Sequence, residues 1–314
     1  MPDFARTIRL NHDPGWAVRS HGWPTLAPCS LDANTLQWIA TLPSGAAQTV
    51  TIRWRKGSRT LRIAADASLN RRHGDAVDAA VRRMFFAAEK FDAFWQHCAS
   101  HPVLKRCALE RAGAMFRSAT LYEDLVKTIC TTNCTWGNTK RMVHELCRLL
   151  GEAENGPIRP IGPIRQISRG GPIENGQPRH AFPTIEAVAR ARHTTLLKAG
   201  LGYRAPYIRD LSRAILDGAL DLHAWETERD AAKLRHDLLA VKGIGPYAAN
   251  HLLMLLGHYD FIPCDSVARE FLGLPTGATA REVDKAMHTR YEPWGKYAAL
   301  AYMLERVIVD SMDN

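Results

Sequence analysis

Residues 231–256, AAKLRHDLLAVKGIGPYAANHLLMLL, hold the pattern that decides the fold. They predict a helix that ends near Leu239, a tight turn at 241–245 and a second helix opened by Pro246, a residue suited to the first helical position. The turn has two glycines with one apolar residue between them, which allows backbone angles that other residues resist. The free amides beside the second helix then form an anion site at the positive end of its dipole. They belong to Gly243, Gly245 and Ala248.

The anion expected at this turn is a nucleic-acid phosphate. No Lys-Ser or Lys-Thr pair follows the glycines, as a nucleotide-binding loop would require. Lys242, inside the turn, would meet phosphate or solvent. The alternative is that the glycines simply end the first helix. The helical stretches on both sides favour the phosphate site.

Composition limits the classes of protein. The chain has 314 residues, a formal net charge of +9 and a pI near 9.3, which suit a polyanionic partner. Seven cysteines without a CxxC pair indicate reduced thiols rather than a disulfide framework. No apolar run reaches transmembrane length and the first ten residues lack a secretory hydrophobic stretch. We therefore expect a cytoplasmic, nucleoid-associated protein with no membrane partner.

The chain divides into a strand-rich N-terminal region and a helical remainder. TVTIRW (49–54) and TLRIAA (60–65) alternate apolar and polar residues around a turn, which predicts a hairpin. We predict a small antiparallel β domain at 1–76 and helical domains at 77–314. Further strands are expected at Thr7–Leu10 and Trp16–Arg19. The basic residues of the hairpin turn, which would be solvated or touch DNA, are Arg53, Arg55, Lys56 and Arg59.

Residues 151–181 are rich in glycine and proline, so no helical or strand period survives and a long loop is predicted. Its arginines leave two alternatives, a solvated insertion or an arm along the DNA backbone. They are Arg159, Arg165, Arg169 and Arg179.

VKGIGPYAAN (241–250) followed by IPCDSVAREFL (262–272) resembles the helix-hairpin-helix and catalytic aspartate of the DNA base-excision glycosylase superfamily. That superfamily includes endonuclease III, 8-oxoguanine glycosylase and bacterial alkyladenine glycosylases. The resemblance extends through 120–147, 182–215 and 291–303. It implies a mainly α chain with an N-terminal antiparallel β-sheet (α+β), the helix-hairpin-helix glycosylase fold. Only Cys264 follows Cys147, so the C-terminal iron–sulfur loop of some relatives cannot be built.

The resemblance makes Asp265 the catalytic residue. Cleavage of an N-glycosidic bond develops positive charge on the sugar, which a nearby carboxylate stabilises while it orients water. Without the resemblance, a lone Asp before a helix would be an N-cap. Bifunctional relatives carry a lysine nucleophile where this chain has Tyr247. We therefore predict a monofunctional glycosylase without lyase activity.

The resemblance also implies contacts to double-stranded DNA that contains a damaged base, made by a monomer. Asn133 would fill the gap left by the expelled nucleotide, although it could instead cap the helix that starts near Trp136. Tyr203 would wedge beside that gap and Arg204 would point at the orphaned base, unless they only cap and pack helices. Backbone contacts are expected around the hairpin and the Asp265 helix, from Lys242, Gly243, Gly245, Ala248, Ser266 and Val267.

The predicted base pocket contains Tyr247, Trp136, Trp294 and Lys296, with core packing as the alternative for both tryptophans. GIGPYAAN is closer to the alkyladenine enzymes, and electron-poor alkylated purines stack well on aromatic faces. An alkylated purine is therefore the expected substrate. 8-Oxoguanine and deaminated bases remain alternatives, as does a catalytically silent module that only binds damaged DNA. No cofactor is expected beyond a K⁺ or Na⁺ ion that the resemblance assigns to the carbonyls of Leu239, Val241 and Ile244.

Overall fold

The computed structural model describes residues 4–65, 67–154 and 179–311. An N-terminal antiparallel sheet precedes a helical remainder, which confirms the predicted fold class. Most of the predicted loop, with Arg159, Arg165 and Arg169, lies outside the described residues. None of the described helices is long and apolar enough to cross a membrane.

Five strands form one sheet in the order β1-β5-β4-β3-β2, with every neighbouring pair antiparallel. The predicted hairpin is confirmed, since Arg53 pairs with Arg62 across its two strands. The strands at Cys29–Asp32 and Thr35–Thr41 were not predicted. Strand preference depends strongly on cross-strand neighbours, so the residues of these segments alone do not indicate a strand. The strands are β1 (Phe4–Arg9), β2 (Cys29–Asp32), β3 (Thr35–Thr41), β4 (Ala47–Arg53) and β5 (Thr60–Ala65).

The strand expected at Trp16–Arg19 is wrong, because this segment lies in helix α1 (Pro14–Arg19). Asp13 caps the helix by accepting the N–H of Gly15 at 2.7 Å, and Pro14 suits the first turn. The cap and the proline set a local helical start that a short alternation of apolar residues does not reveal.

The predicted hairpin helices are confirmed as α11 (Ala231–Leu239) and α12 (Pro246–Leu255). α5 (Leu121–Thr131) is the central helix, because all its residues from Leu121 to Cys130 are buried, and α12 packs against it. The other helices are α2 (Arg71–Met84), α3 (Asp92–Cys98), α4 (Lys105–Glu110), α6 (Trp136–Leu150), α7 (Ile185–Arg190), α8 (His193–Lys198), α9 (Arg204–Leu216), α10 (Leu222–Thr227), α13 (Ser266–Phe271), α14 (Ala280–Tyr291) and α15 (Ala298–Asp310).

The two ends of the predicted loop are anchored on the sheet. Arg179 donates hydrogen bonds to Gln37 Oε1 and Thr49 Oγ1, both at 2.7 Å. It also pairs with Glu154 at 3.3 Å, and a β-bridge joins Glu154 to Ala47. Arg179 therefore holds the end of the loop to the sheet. The prediction that it belongs to a solvated or DNA-binding arm is wrong for this residue.

A buried carboxylate on α5 connects the N-terminal region to the helices. Asp124 accepts hydrogen bonds from Trp23 Nε1 at 3.0 Å, from the Ser118 N–H at 2.8 Å and from Arg83 at 2.9 Å. Burial alone would raise the pKa of Asp124, but the Arg83 guanidinium and the Ser118 bonds outweigh it and lower that pKa. Arg83 also pairs with Glu226 at 2.8 Å. Asp124 thus fixes the Trp23 segment against α5.

Asp124→Asn should lower the free energy of unfolding by about 3 kcal/mol, because buried Arg83 loses a charged partner. Urea denaturation monitored by circular dichroism measures the change. The control is Asp75→Asn, which removes a solvent-exposed pair with Arg6 and should cost at most about 1 kcal/mol. Equal small losses in both variants would contradict the structural role of Asp124.

Candidate active site

The hairpin turn has the conformation needed to present its amides. Gly243 has φ +96°, and a Cβ there would lie 2.8 Å from the ring of Tyr207. Both the positive φ and this close contact exclude a side chain at this position. The first amide of α12 to bond backward is that of Ala249, which donates to Gly245 at 2.9 Å. Within the described part of the chain, the earlier amides of Gly243, Gly245 and Ala248 have no backbone acceptor. The turn therefore leaves donors free for an anion.

The carbonyls assigned to a monovalent cation lie in the same turn. Those of Leu239 and Ile244 accept no backbone N–H from the described residues, and that of Val241 accepts the Ile244 N–H at 3.0 Å. Uncommitted carbonyl oxygens fit a hard cation such as K⁺ or Na⁺. Lys242 is exposed, with its Nζ 5.2 Å from the centre of the Tyr207 ring.

Asp265 is the half-buried N-cap of α13. Its Oδ1 accepts the Ala268 N–H at 3.0 Å, so Asp265 does cap α13, which was the alternative role considered for it. The second oxygen, Oδ2, has no hydrogen-bond partner among the described residues. Burial raises the pKa of Tyr247, and the charge of the Asp265 carboxylate raises that pKa further, so the carboxylate acts electrostatically on this phenol. Asp265 can therefore cap the helix and still offer an oxygen to a ligand beside Tyr247.

A chain of aromatic rings runs from Tyr247 to the surface. Tyr247 stacks on His251 with centroids 6.0 Å apart, and His251 lies 4.7 Å from Trp23. Trp23 stacks in turn on Trp136 at 6.5 Å, and Trp136 is 38% exposed. A Cβ on Gly22 would lie 2.2 Å from the Trp136 ring, so this indole lies directly on the Gly22 backbone. We call Tyr247, His251, Trp23 and Trp136 the aromatic row.

The sequence identified two members of the aromatic row, Tyr247 and Trp136, and missed Trp23 and His251. Trp23 comes from the N-terminal region, far from the other rings in sequence, and only the Asp124 bond brings it there. His251 follows Tyr247 by one helical turn, and this i, i+4 spacing was the available signal.

Arg306, on α15, places a positive charge beside the aromatic row. Burial lowers the pKa of His251 to about 4, with Asp124 opposing and Arg306 adding to the shift. Arg306 also acts on the hydroxyls of Tyr247 and Tyr302, and its guanidinium carbon lies 5.8 Å from the centre of the Tyr302 ring. It makes no salt bridge within the described ranges. No pattern in the sequence points to this residue.

Two further predicted pocket residues lie just before α15. Trp294 is buried against Phe94 at 6.0 Å and against His97 at 4.9 Å, so it supports α3 rather than lining the pocket. Lys296 is exposed on the surface, with its Nζ 5.2 Å from the Tyr297 ring centre. Trp294 therefore follows the core-packing alternative, whereas Lys296 stays a predicted pocket residue with an exposed side chain in the free protein. Gly295, between them, has a φ of 49° and interrupts the helical path.

The predicted DNA-inserting residues lie on adjacent loops. Asn133 is exposed with φ +48°, and Thr135 rather than Asn133 caps α6. Tyr203 is 51% exposed, with the Arg204 guanidinium 4.4 Å from its ring centre. Arg204 is buried and donates to the Thr132 carbonyl, so it ties the two loops together. In the free protein it is held by this carbonyl, whereas the sequence predicted that it points at the orphaned base.

The two helix-start residues predicted to contact DNA follow Asp265 in the first turn of α13. Val267 is 40% exposed, unusual for an apolar side chain. The amides of Ser266 and Val267 have no backbone acceptor within the described ranges. This turn therefore presents donors and an apolar contact beside the Asp265 carboxylate.

Comparison with known proteins gives the same fold. Over 155 residues the chain is 26% identical to the N-glycosylase/DNA lyase of Saccharomyces cerevisiae, an alignment that covers 46% of this chain and 37% of that protein. The chain thus spans less than half the length of the curated relatives it matches. It superposes on the 8-oxoguanine glycosylase/lyase of Clostridium acetobutylicum with a TM-score of 0.71, 15% identity and coverage of 97% and 96%. For the 3-methyladenine DNA-glycosylase of Archaeoglobus fulgidus the TM-score is 0.70, with 17% identity and coverage of 96% of both chains.

The family assignment comes from a match to the chain itself. A model described as HhH-GPD superfamily base excision DNA repair protein matches residues 126–296, which is more than half of the 314 residues. The match contains the hairpin, Tyr247 and Asp265. The chain belongs to the HhH-GPD superfamily of base excision DNA repair proteins.

Proposed function

We propose that this protein is a DNA glycosylase that flips a damaged base out of double-stranded DNA and hydrolyses its N-glycosidic bond. The observation that carries the proposal is the free Oδ2 of Asp265, whose carboxylate acts on Tyr247 at the end of the aromatic row, directly after a hairpin with free amides. A phosphate held by the hairpin would fix the DNA backbone, and the row would receive the base. The protein would act as a nucleoid-associated monomer.

In this mechanism Asp265 acts on the sugar. As the bond to the base lengthens, the sugar gains oxocarbenium-like charge, which the carboxylate stabilises through Oδ2. The Oδ1 bond to Ala268 fixes the carboxylate orientation, so little reorganisation is needed during the reaction. The same carboxylate orients the water that attacks the sugar carbon. The base leaves with the bonding electron pair. A neutral base takes up the proton that the attacking water gives up, whereas a cationic alkylated purine becomes neutral without one.

Hydrolysis by water, without strand cleavage, follows from Tyr247. A lyase needs an amine that forms a Schiff base with the sugar, and a phenol cannot form one. Burial and the Asp265 carboxylate raise the pKa of Tyr247, so its hydroxyl stays protonated near neutral pH. Its contribution is a flat aromatic face next to the reacting sugar.

The DNA would be held by the hairpin and by two inserting side chains. Asn133 and Tyr203 are exposed on loops that Arg204 joins, so they can enter the duplex together and fill the space of the flipped nucleotide. A K⁺ or Na⁺ ion at the carbonyls of Leu239, Val241 and Ile244 would supply positive charge for a DNA phosphate.

An alkylated purine is the first candidate for the excised base. The ring of Tyr247 is only partly buried and offers an electron-rich face, which attracts the electron-poor ring of an alkylated purine. The fold relatives are named for different lesions, so the pocket chemistry carries this choice.

A neutral oxidised or deaminated purine is the second candidate, and Arg306 favours it. Its guanidinium acts on His251, Tyr247 and Tyr302, so it would repel a cationic base such as 7-methylguanine. It also offers N–H donors to a carbonyl oxygen, which 8-oxoguanine and hypoxanthine both carry.

Asp265→Asn should reduce base excision at least about 100-fold, because the carboxylate charge is lost while the helix cap is kept. Single-turnover excision from lesion-containing duplexes measures this loss. Affinity for the same duplexes, measured by fluorescence anisotropy, should stay within about threefold. Full activity in Asp265→Asn would contradict the mechanism, and binding without excision by the wild type would identify a silent binding module.

Gly243→Ala is the complementary variant to Asp265→Asn, because it should impair DNA binding. It should weaken DNA binding about tenfold, because the new Cβ meets Tyr207 and disturbs the turn. Gly277→Ala, at a position with open space, is its control.

The proposed cation is tested by repeating the binding assay with tetramethylammonium in place of K⁺ and Na⁺. If the hairpin holds K⁺ or Na⁺, the affinity for DNA should be lower in the tetramethylammonium buffer.

Strand cleavage provides a separate prediction. Wild-type protein incubated with a lesion duplex should leave an intact abasic strand that breaks only after alkali. Borohydride should trap no covalent protein–DNA complex, since Tyr247 cannot form the Schiff base. A trapped complex would contradict the monofunctional assignment.

The choice of base is tested by excision of 7-methylguanine, 8-oxoguanine and hypoxanthine from otherwise identical duplexes. If Arg306 selects a neutral base, wild type should prefer 8-oxoguanine or hypoxanthine. Arg306→Gln should then shift the rate ratio toward 7-methylguanine by about tenfold or more, because the repelling charge is gone. A wild-type preference for 7-methylguanine that Arg306→Gln leaves unchanged would decide for the alkylated purine.

A further inference from the structure

Two imidazoles meet in the middle of the aromatic row. The rings of His21 and His251 lie edge to face, with centroids 5.4 Å apart and an angle of 88° between them. His251 is 4% exposed. His21 is half-buried as a whole, but its Nδ1 is shielded from solvent. They come from opposite ends of the sequence, since His21 precedes Trp23 and His251 lies on α12.

The hydrogen bonding of His21 fixes its tautomer. Its Nε2 lies 2.6 Å from the carbonyl oxygen of Phe116, and a carbonyl can only accept, so Nε2 carries the hydrogen. Burial, followed by the nearby His251, lowers the pKa of His21 to about 3. The ring is therefore neutral at physiological pH, and Nδ1 is a bare acceptor. This atom has no hydrogen-bond partner among the described residues.

His251 is also neutral and unsatisfied. Burial lowers its pKa to about 4, although the Asp124 carboxylate opposes the shift. Its Nε2 is shielded from solvent and has no partner in the described ranges. A neutral imidazole nitrogen can donate or accept according to its tautomer, and none of the hydrogen bonds between described residues fixes that of His251.

These two nitrogens differ in their position from other buried polar atoms without a partner, because they lie at the aromatic row. A buried polar atom without a partner costs free energy, which a ligand recovers when it supplies the missing bond. His251 stacks on Tyr247, the residue whose pKa the proposed catalytic carboxylate of Asp265 raises. A base placed against this part of the row would bring its polar edge toward the two histidines. Arg306 and Asp124 are the charged groups that act on both rings.

We propose that His21 Nδ1 and His251 Nε2 read the hydrogen-bonding edge of the flipped base. This inference rests on the proposed glycosylase function and narrows its substrate class. His21 Nδ1 can only accept, so the base must present an N–H on that edge. His251 supplies the second bond and adopts the tautomer that the base requires. Bases without an N–H, such as 1,N6-ethenoadenine, gain nothing from the pair.

The test variant is His251→Phe, which keeps a flat ring against Trp23 and Tyr247 and removes both nitrogens. Single-turnover excision should fall about 10- to 100-fold for whichever of 7-methylguanine, 8-oxoguanine and hypoxanthine the wild type removes fastest, since all three carry N–H groups. Excision of 1,N6-ethenoadenine should stay within about twofold of wild type. The melting temperature should be unchanged or higher, because an unsatisfied buried nitrogen is lost. His251→Gln, whose amide can reach the same edge, should recover most of the rate.

The matched control is His12→Phe. His12 is also buried, with a pKa lowered to about 4 by burial, an Nε2 without a partner among the described side chains and an edge contact with Phe91 at 5.5 Å. It takes no part in the aromatic row, so His12→Phe should leave excision unchanged.

Three results would overturn the inference: a His251→Phe rate within twofold of wild type, an equal loss on 1,N6-ethenoadenine, or a rate loss that tracks a lower melting temperature. Absence of excision by the wild type would instead refute the glycosylase function itself. The two failures are thus distinguishable.

Discussion

The candidate site depends on one buried carboxylate. Asp124 receives the indole N–H of Trp23, the Ser118 amide and the Arg83 guanidinium, which together satisfy a charge that burial would otherwise make costly. Through the first bond it holds a segment of the N-terminal region against the central helix α5. That segment carries Trp23 and His21, and without it the row would end at His251. The pocket is therefore assembled from distant parts of the chain, by the Asp124 bonds and by the His21 bond to the Phe116 carbonyl.

Local chemistry explains why part of the site was predictable from sequence. The hairpin glycines, Pro246 and the capping Asp265 act within a few residues, so their pattern in the sequence determines their geometry. Asn133 and Tyr203 follow the same logic, because each lies in a break between helical stretches and the structure leaves both exposed. The helical bounds around them were predictable for the same reason.

Long-range and conformational effects explain what could not be predicted. Trp23 and His21 enter the pocket through contacts with residues about 100 positions away, which no local pattern encodes. Trp294 could line the pocket or pack in the core by its residue type, and only its packing on Phe94 and His97 shows that it belongs to the core. Arg204 carries the expected side chain at the expected position, yet the Thr132 carbonyl holds it inward. In these cases the residue type indicated the kind of contact, but the sequence did not show in which direction the side chain points.

The electrostatics of the pocket combine features that favour different bases. Aromatic faces attract an electron-deficient ring, while Arg306 opposes a positive charge and burial keeps His251 neutral. Such a site would recognise a base by stacking and by its polar edge more than by its charge.

The most direct test of this account is mass spectrometry of the products formed by wild-type protein from a duplex with a single damaged base. The account predicts release of the free base together with an unbroken DNA strand that has lost only that base. Recovery of the unchanged duplex for every base offered, under conditions in which the protein binds the DNA, would contradict it.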